Sequence, residues 1–218
     1  MIRFLTYPLV ILFLILTAVQ VPQVFTNALA SWQIYTPLIG GVLGYFVLSI
    51  IPFVSRNREH MITFSHEMTH WVFSLLFFRK LYSFQVESDN TGSITHSGGR
   101  IGEMFISLSP YCVPLFTVIL LLVRHMVSRD YLVGFDVALG VTLGFHIGCF
   151  INYTGLYQSD IRNVGIFRSL VFIIGFWLFF AILILLSLKS DMYVACKGIF
   201  LRYWDTLVSF WQFVKGLL

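Results

Sequence analysis

The sequence predicts an all-α polytopic membrane protein with about six transmembrane helices, a small β-hairpin insert and a C-terminal amphipathic helix. Of its 218 residues, 58% are hydrophobic and only 11% are charged, which lies well outside the usual composition of soluble domains. A bilayer core of roughly 30 Å requires about 20 apolar residues per helix, and several such runs follow one another along the chain. The net charge of +4 is small. We therefore expect the chain to lie in a lipid bilayer and not to bind nucleic acid.

Six apolar runs bounded by charge, proline or glycine are the candidate transmembrane helices. The first run is too long for the apolar core of a signal peptide, so we expect it to remain as an uncleaved helix. The runs cover about residues 4–21, 37–54, 61–78, 104–123, 132–152 and 166–188. Together they form an expected transmembrane domain of residues 1–190, in a multi-pass protein of a bacterial inner or cell membrane.

A short insert at about residues 81–99 has the periodicity of β-strands. Tyr82, Phe84 and Val86 alternate with polar residues, a polar turn follows at residues 88–92, and a second short run follows the turn. This pattern predicts a β-hairpin. Because non-helical backbone is tolerated at membrane depth only where protein or a water-filled cavity covers it, we expect the hairpin to cap or enter a cavity between helices.

Residues 191–218 are expected to form a C-terminal amphipathic helix that lies in the membrane interface. Large apolar residues recur there at helical spacing, opposite charged and polar ones. The apolar set consists of Ile199, Phe200, Tyr203, Trp204, Leu207, Phe210, Trp211 and Val214.

The residues that carry chemistry lie in the third run, as His66-Glu67-Met68-Thr69-His70. Two histidines four residues apart project from one face of a helix, so both imidazoles can bind one Zn²⁺ ion. Glu67 can reach water on the metal without being a ligand, which is the position of a general base. A chain of this composition contains the pattern by chance only roughly 0.003 times, and ionisable residues within a membrane helix mark function by default. We therefore expect a zinc hydrolase with Glu67 as its catalytic residue.

A catalytic zinc site takes three protein ligands, so one further ligand must come from another segment. The candidates are Asp160, His146, Glu103 and His96. Asp160 follows the fifth run, where glycine and polar residues interrupt the apolar helix and can open it toward a polar cavity. His146 lies within that run and is the alternative, either as a ligand or as an oxyanion-stabilising group.

A His-Glu-x-x-His motif within a membrane helix, followed by a β-hairpin and a distant Asp, resembles the site-2 protease family of intramembrane zinc metalloproteases. A later helix of that family carries Asn-x-x-Pro-x-x-x-x-Asp-Gly, and Asn152 and Asp160 match its spacing. Gly155 replaces the Pro and Ile161 replaces the Gly, so the chain resembles a divergent, small member. Residues 107–114, which open the fourth run, also resemble the Pro-containing helix start of smaller members.

The resemblance implies that Asp160 completes the zinc site and that the substrate is a membrane-embedded or membrane-proximal protein. Asn152 either contacts the substrate backbone or holds the bent helix, and both interpretations stay open. The expected function is therefore that of an intramembrane zinc metalloendopeptidase.

Three other functions are weighed against this one. A catalytically inactive membrane scaffold or chaperone of the same fold would keep the cavity and hairpin but tolerate loss of Glu67. A prenyl-processing membrane protease would need differently spaced Glu and His motifs, and no second Glu pair occurs. A transporter would need inverted repeats or paired broken helices, which the sequence pattern does not indicate. The identity of the substrate, the membrane orientation and the oligomeric state stay open.

Overall fold

The computed structural model describes residues 2–86, 92–99 and 102–217, with side chains from residue 6 onward. These residues form nine α-helices and one β-hairpin, so the all-α membrane fold class is confirmed. In chain order the elements are α1 (Ile2–Leu29), α2 (Thr36–Leu48), α3 (Pro52–Leu76), β1 (Leu81–Val86), β2 (Gly92–His96), α4 (Glu103–Cys112), α5 (Leu115–Arg124), α6 (Leu132–Tyr153), α7 (Ser159–Val164), α8 (Ile166–Lys189) and α9 (Met192–Leu217).

Three segments of the described chain are individually long and apolar enough to cross a bilayer. They are Thr6–Leu29, Arg129–Tyr153 and Ile166–Lys189. Two bent helix pairs, α2 with α3 and α4 with α5, raise the number to five if each pair forms one span. The count is therefore three to five rather than about six, because the second and third apolar runs belong to one bent pair.

Proline sets the break in each bent pair. The ring of a proline disfavours helical backbone in the residue before it, and Ile51 before Pro52 and Val113 before Pro114 have ψ angles of 130° and 111°. The chain consequently bends by 104° between α2 and α3 and by 84° between α4 and α5. The prediction of one helix in the fourth run is wrong in this respect. Residues 107–114 span a helix break and do not open a span.

Two glycines allow α2 and α6 to pack with their backbones in contact. A Cβ atom added at Gly41 would lie 2.8 Å from the Cα atom of Gly140 and would collide with the Val137 carbonyl. A Cβ atom added at Gly140 would collide with the Leu38 carbonyl in the same way. Small residues at helix interfaces allow this approach, which fixes α2, and hence the start of α3, against α6.

The C-terminal helix α9 packs partly on the bundle. Its residues Ile199 and Tyr203 are buried against α1 and α8, and the Tyr203 hydroxyl lies 2.7 Å from the hydroxyl of Thr17. Trp204 and Trp211 stay exposed. Part of the predicted apolar face therefore packs against protein, and the position of the helix in the membrane interface stays a prediction, as does the boundary at residue 191.

The predicted β-hairpin is present as an antiparallel pair in which Val86 lies opposite Gly92. Most of the turn predicted at residues 88–92 lies outside the described residues, and Gly92 itself belongs to β2. The hairpin lies against α3, because the side chains of Thr63 and Glu67 are the nearest neighbours of Gly92. This contact brings the hairpin next to the predicted catalytic residue.

Gly41→Ala is expected to destabilise the folded protein by about 1–3 kcal/mol, because the added methyl group forces α2 away from α6. The matched control is Gly40→Ala, since a Cβ atom at that position meets nothing within 4 Å. The control should leave the stability unchanged or raise it by up to about 1 kcal/mol, the helix propensity gain of Ala over Gly. Thermal unfolding of both purified variants in detergent, followed by circular dichroism, measures the difference. Equal unfolding temperatures would contradict the close backbone contact.

Candidate metal centre

The helix α3 presents His66 and His70 on one face, one turn apart. Their Nε2 atoms lie 3.1 Å from each other, and the two rings are nearly perpendicular with centroids 4.7 Å apart. His70 is buried, whereas His66 is half-buried. Two ring nitrogens that point at a common position in this way can both bind one cation.

Asp160 reaches the same position from α7. Its Oδ2 atom lies 3.7 Å from the Nε2 atom of His66 and 3.6 Å from that of His70. Within residues 2–86, 92–99 and 102–217, no other group of three His, Cys, Asp or Glu side chains lies close enough to hold a metal ion. The fold therefore brings together the two histidines and one of the four candidates for the third ligand.

The distances within this group fit a zinc ion. In a tetrahedral site with bonds of about 2.0–2.1 Å, neighbouring ligand atoms lie about 3.3 Å apart. The three separations of 3.1, 3.6 and 3.7 Å lie close to this value. Two imidazoles and one carboxylate also form a donor set that Zn²⁺ accepts while a fourth position stays open. The role of the three residues as ligands stays a prediction that this geometry supports.

Apolar packing places the short helix α7. Ile161 and Val164 are buried in the hydrophobic core between α1, α4 and α8, and Gln158 Nε2 donates a 2.6 Å hydrogen bond to the Tyr153 carbonyl at the end of α6. Ile161 stands where the similar family carries Gly, and here its side chain fixes α7 in the core. Asp160, the residue before it, is thereby held facing α3.

A backbone carbonyl of α4 orients His70. Its Nδ1 atom donates a 2.7 Å hydrogen bond to the carbonyl oxygen of Ile106, which leaves Nε2 with the lone pair that a metal requires. In an uninterrupted α-helix the Ile106 carbonyl would accept the N–H of the residue four positions later. That residue is Pro110, which has no N–H. The proline therefore leaves the carbonyl to side-chain donors, which are His70 and, at 3.1 Å, the Ser109 hydroxyl.

Tyr111, also on α4, supports Asp160. Its hydroxyl donates a 3.0 Å hydrogen bond to Asp160 Oδ2, and its ring packs edge-on against His66. Burial acts to raise the pKa of the Asp160 carboxyl, but the facing imidazoles of His66 and His70 and the Tyr111 hydroxyl outweigh it. The pKa is therefore held below its usual range. Asp160 is ionised at neutral pH, which is the state that metal binding requires.

Glu67 lies beside the three residues and is only 8% exposed. Its carboxylate is close enough to interact electrostatically with His66, His70 and Asp160. The strand β2 covers it, because a Cβ atom added at Gly92 would lie 2.7 Å from Glu67 Cγ and 3.1 Å from its Oε1 atom. The hairpin thus closes over the carboxylate and limits its contact with bulk water.

His146 and Asn152 lie outside the group of three. His146 stacks on Trp177 with ring centroids 4.9 Å apart, and its Nε2 atom has no hydrogen-bond partner in the described part of the chain. It lines a small cavity of about 30 Å³ together with His66 and Tyr111. The Asn152 side chain donates a 2.8 Å hydrogen bond to a carbonyl one turn earlier in α6. Contacts of either residue with substrate or an oxyanion stay predictions.

The remaining ligand candidates, His96 and Glu103, line a larger cavity of about 790 Å³ that His70 and Asp160 also line. The His96 ring lies 3.1 Å from the Ser97 carbonyl, and Glu103 is exposed at the start of α4. Neither joins the group of three. The cavity lies between the hairpin and the helices α4, α7 and α8, which is the kind of cavity that the hairpin was expected to cover.

The sequence pattern marks residues 107–114 only as a helix start and Gly92 only as part of a turn, and it assigns Pro110, Tyr111 and Gly92 no role at the metal centre. Pro110 has a recognisable signal, since a proline inside a helix always leaves the carbonyl four residues earlier without its usual donor. The other two have none. Their roles depend on contacts between elements that are distant in the chain.

A family model described as Peptidase M50B-like matches residues 38–195. The match covers well over half of the chain, and it includes His66, Glu67, His70 and Asp160. No curated protein and no solved structure matches the chain significantly.

Pro110→Ala is expected to weaken zinc binding by about tenfold or more, the usual effect of losing a partner that orients a metal ligand. The new N–H at position 110 competes with His70 for the Ile106 carbonyl. Titration of the metal-free protein with Zn²⁺ against a competing chelator measures the affinity without reference to any catalytic activity.

The matched control for this substitution is Pro22→Ala, which adds an N–H inside α1 at an exposed position. Its affinity for Zn²⁺ should equal that of the unaltered protein. Wild-type affinity in the Pro110→Ala protein would show that the proline does not govern the orientation of His70.

Proposed function

The chain belongs to the Peptidase M50B-like family, and from this premise we propose that it is an intramembrane zinc metalloprotease. Its reaction is the hydrolysis of peptide bonds in membrane-embedded or membrane-proximal protein substrates. The observation that carries the proposal is the convergence of His66, His70 and Asp160 within 3.7 Å of one another, directly beside Glu67.

In this proposal His66, His70 and Asp160 hold the metal. Bound Zn²⁺ supplies Lewis-acid chemistry to a carbonyl group and to water. Two hydrogen bonds keep the ligands in place, because the Ile106 carbonyl fixes the ring of His70 and the Tyr111 hydroxyl fixes the carboxylate of Asp160.

Glu67 moves the proton in the proposed reaction. Its carboxylate takes a proton from the attacking water and then gives it to the nitrogen of the leaving amine. The side chain is nearly buried and lies under β2. A carboxylate with little solvent around it interacts more strongly with the charges that develop on the reacting groups.

The strand β2 positions the substrate. Its residues Ile94 and His96 line the cavity that His70 and Asp160 also line, and in the described chain β2 pairs only with β1. The second edge of β2 can therefore accept an extended peptide through main-chain hydrogen bonds. A helical substrate has its amides engaged in internal hydrogen bonds, so this pairing requires that it first unwind locally.

Glu67→Gln is expected to retain about one Zn²⁺ ion per chain, since the three ligands are unchanged, and to reduce cleavage by at least about a hundredfold. Metal analysis of the purified protein checks the first expectation. Comparison of membrane proteomes from cells with either form checks the second, because an uncut membrane protein should accumulate only with the variant.

The control for this comparison is Glu59→Gln, the same substitution at an exposed position of α3. It should cleave as the unaltered protein does. Folded wild-type protein that binds no zinc would contradict the proposal, and so would a Glu67→Gln proteome equal to that of the wild type. The second result would favour the inactive scaffold or chaperone.

Gly92→Ala is expected to reduce cleavage by up to about a hundredfold while zinc binding is retained, because a misplacement of about 1 Å in a catalytic group has effects of this size. The added methyl group would lie 2.6 Å from Thr63 Cγ2 and 2.7 Å from Glu67 Cγ, so β2 and these side chains must shift relative to one another, whereas the three ligands need not. The matched control is Gly98→Ala, where a Cβ atom meets nothing within 4 Å. Cleavage rates and zinc content of both variants test this, and equal rates would show that β2 does not constrain Glu67.

A further inference from the structure

Arg168 is a buried cation in the wall of the cavity beside the metal centre. It lies in the first turn of the apolar helix α8 and is 6% exposed. The cavity that it lines, of about 790 Å³, is also lined by His70 and Asp160. A buried charge in a membrane protein is costly unless another charge or a set of hydrogen bonds compensates it, and such residues commonly mark function.

The contacts of Arg168 hold its guanidinium but do not neutralise its charge. Nη1 donates a 3.2 Å hydrogen bond to the Thr6 hydroxyl, Nη2 donates to the Val164 carbonyl, and the group lies 5.3 Å from the centre of the Tyr7 ring. Nε has no hydrogen-bond partner among the described residues. Among the same residues, no carboxylate lies within 4.0 Å of the guanidinium.

Arg124, a partly buried arginine of the same bundle, shows the contrast. Arg124 donates to both carboxylate oxygens of Asp136, at 2.7 and 2.9 Å, and also to the Ser187 carbonyl. Arg124 and Asp136 therefore form an ion pair, which gives this arginine a structural role. Arg168 is more deeply buried than Arg124 but has no such anion among the described residues, and it lines a cavity large enough for a peptide segment.

We propose that Arg168 binds a carboxylate of the peptide substrate and thereby fixes which peptide bond lies over the metal centre. The inference rests on the proposed protease function and adds a specificity to it. A guanidinium forms two parallel hydrogen bonds with a carboxylate, and Nε, which has no partner among the described residues, is a donor that this pairing uses. The carboxylate belongs either to an acidic side chain or to the C-terminus of the substrate.

The test uses apolar 12-residue peptides with an N-terminal fluorophore. One series carries a single Glu at each position in turn, a matched series carries Gln, and both are made with a free or an amidated C-terminus. Binding is measured by fluorescence anisotropy on the full-length, zinc-loaded Glu67→Gln protein in lipid nanodiscs, so that peptides are not consumed. Cleavage of the same peptides is measured separately with the wild-type chain.

A carboxylate at one position, or at the free C-terminus, is expected to strengthen binding by about ten- to a hundredfold over its amide counterpart, the usual range for a charged hydrogen bond. A preference confined to one Glu position identifies an acidic side chain, and a preference abolished by amidation identifies the C-terminus. Adding Arg168→Gln should remove the preference while amide peptides still bind. The matched control, Arg162→Gln at an exposed position of α7, should keep it.

Equal affinities for carboxylate and amide peptides overturn the inference, and this comparison does not depend on the folding of any variant at position 168. A preference that survives Arg168→Gln overturns it as well. A carboxylate preference in binding without any cleavage by the wild-type chain supports the role of Arg168 and contradicts the protease function. Cleavage without a carboxylate preference contradicts the role of Arg168 and supports the protease function. Absence of all binding contradicts both the role of Arg168 and the protease function.

Discussion

The hydrogen bond from His70 Nδ1 to the Ile106 carbonyl joins α3 to α4, and the rest of the metal centre is built outward from α4. The same short helix carries Tyr111, whose hydroxyl reaches Asp160 on α7. The Tyr111 carbonyl lies in the last turn of α4, where carbonyls have no intrahelical partner, and it accepts a 2.9 Å hydrogen bond from Trp177 on α8. A helix of ten residues thus fixes the relative positions of the three elements around the metal centre.

The membrane environment explains why polar groups are concentrated at so few places. The outer face of α1 exposes large apolar side chains that suit contact with lipid, among them Leu9, Ile15, Val19 and Phe25. Inside the bundle, some polar side chains pair with one another, such as the hydroxyls of Thr117 and Thr142, 3.0 Å apart. Irregular backbone requires cover by protein or access to water at membrane depth. The break before Pro114 has such cover, since Val113 and Leu115 are buried, whereas Leu156 and Tyr157 between α6 and α7 are exposed.

The two departures from the motif of the similar family have separate physical explanations. A side chain at Gly155 would meet the ring of Tyr157, which is exposed and would have to turn away, so the ring of Tyr157 packs over the position where the family carries Pro. Ile161 is 1% exposed and belongs to the hydrophobic core. It anchors α7 at the position where the motif of that family has Gly. Asp160 consequently occupies the expected position although both residues that define the family motif around it have changed.

The sequence by itself determined the membrane class, the hairpin and the pair His66 and His70 with Glu67, because composition, strand alternation and a spacing of four on a helix are local properties. Only the tertiary structure decided that Asp160, and not His146, joins the two histidines. That choice depends on how α4 and α7 pack against α3, and packing joins residues far apart in the chain. Composition alone also could not predict the bends before Pro52 and Pro114, because an apolar run has the same composition whether its helix is straight or broken. Proline permits such a break, and the contacts of the folded chain fix its angle.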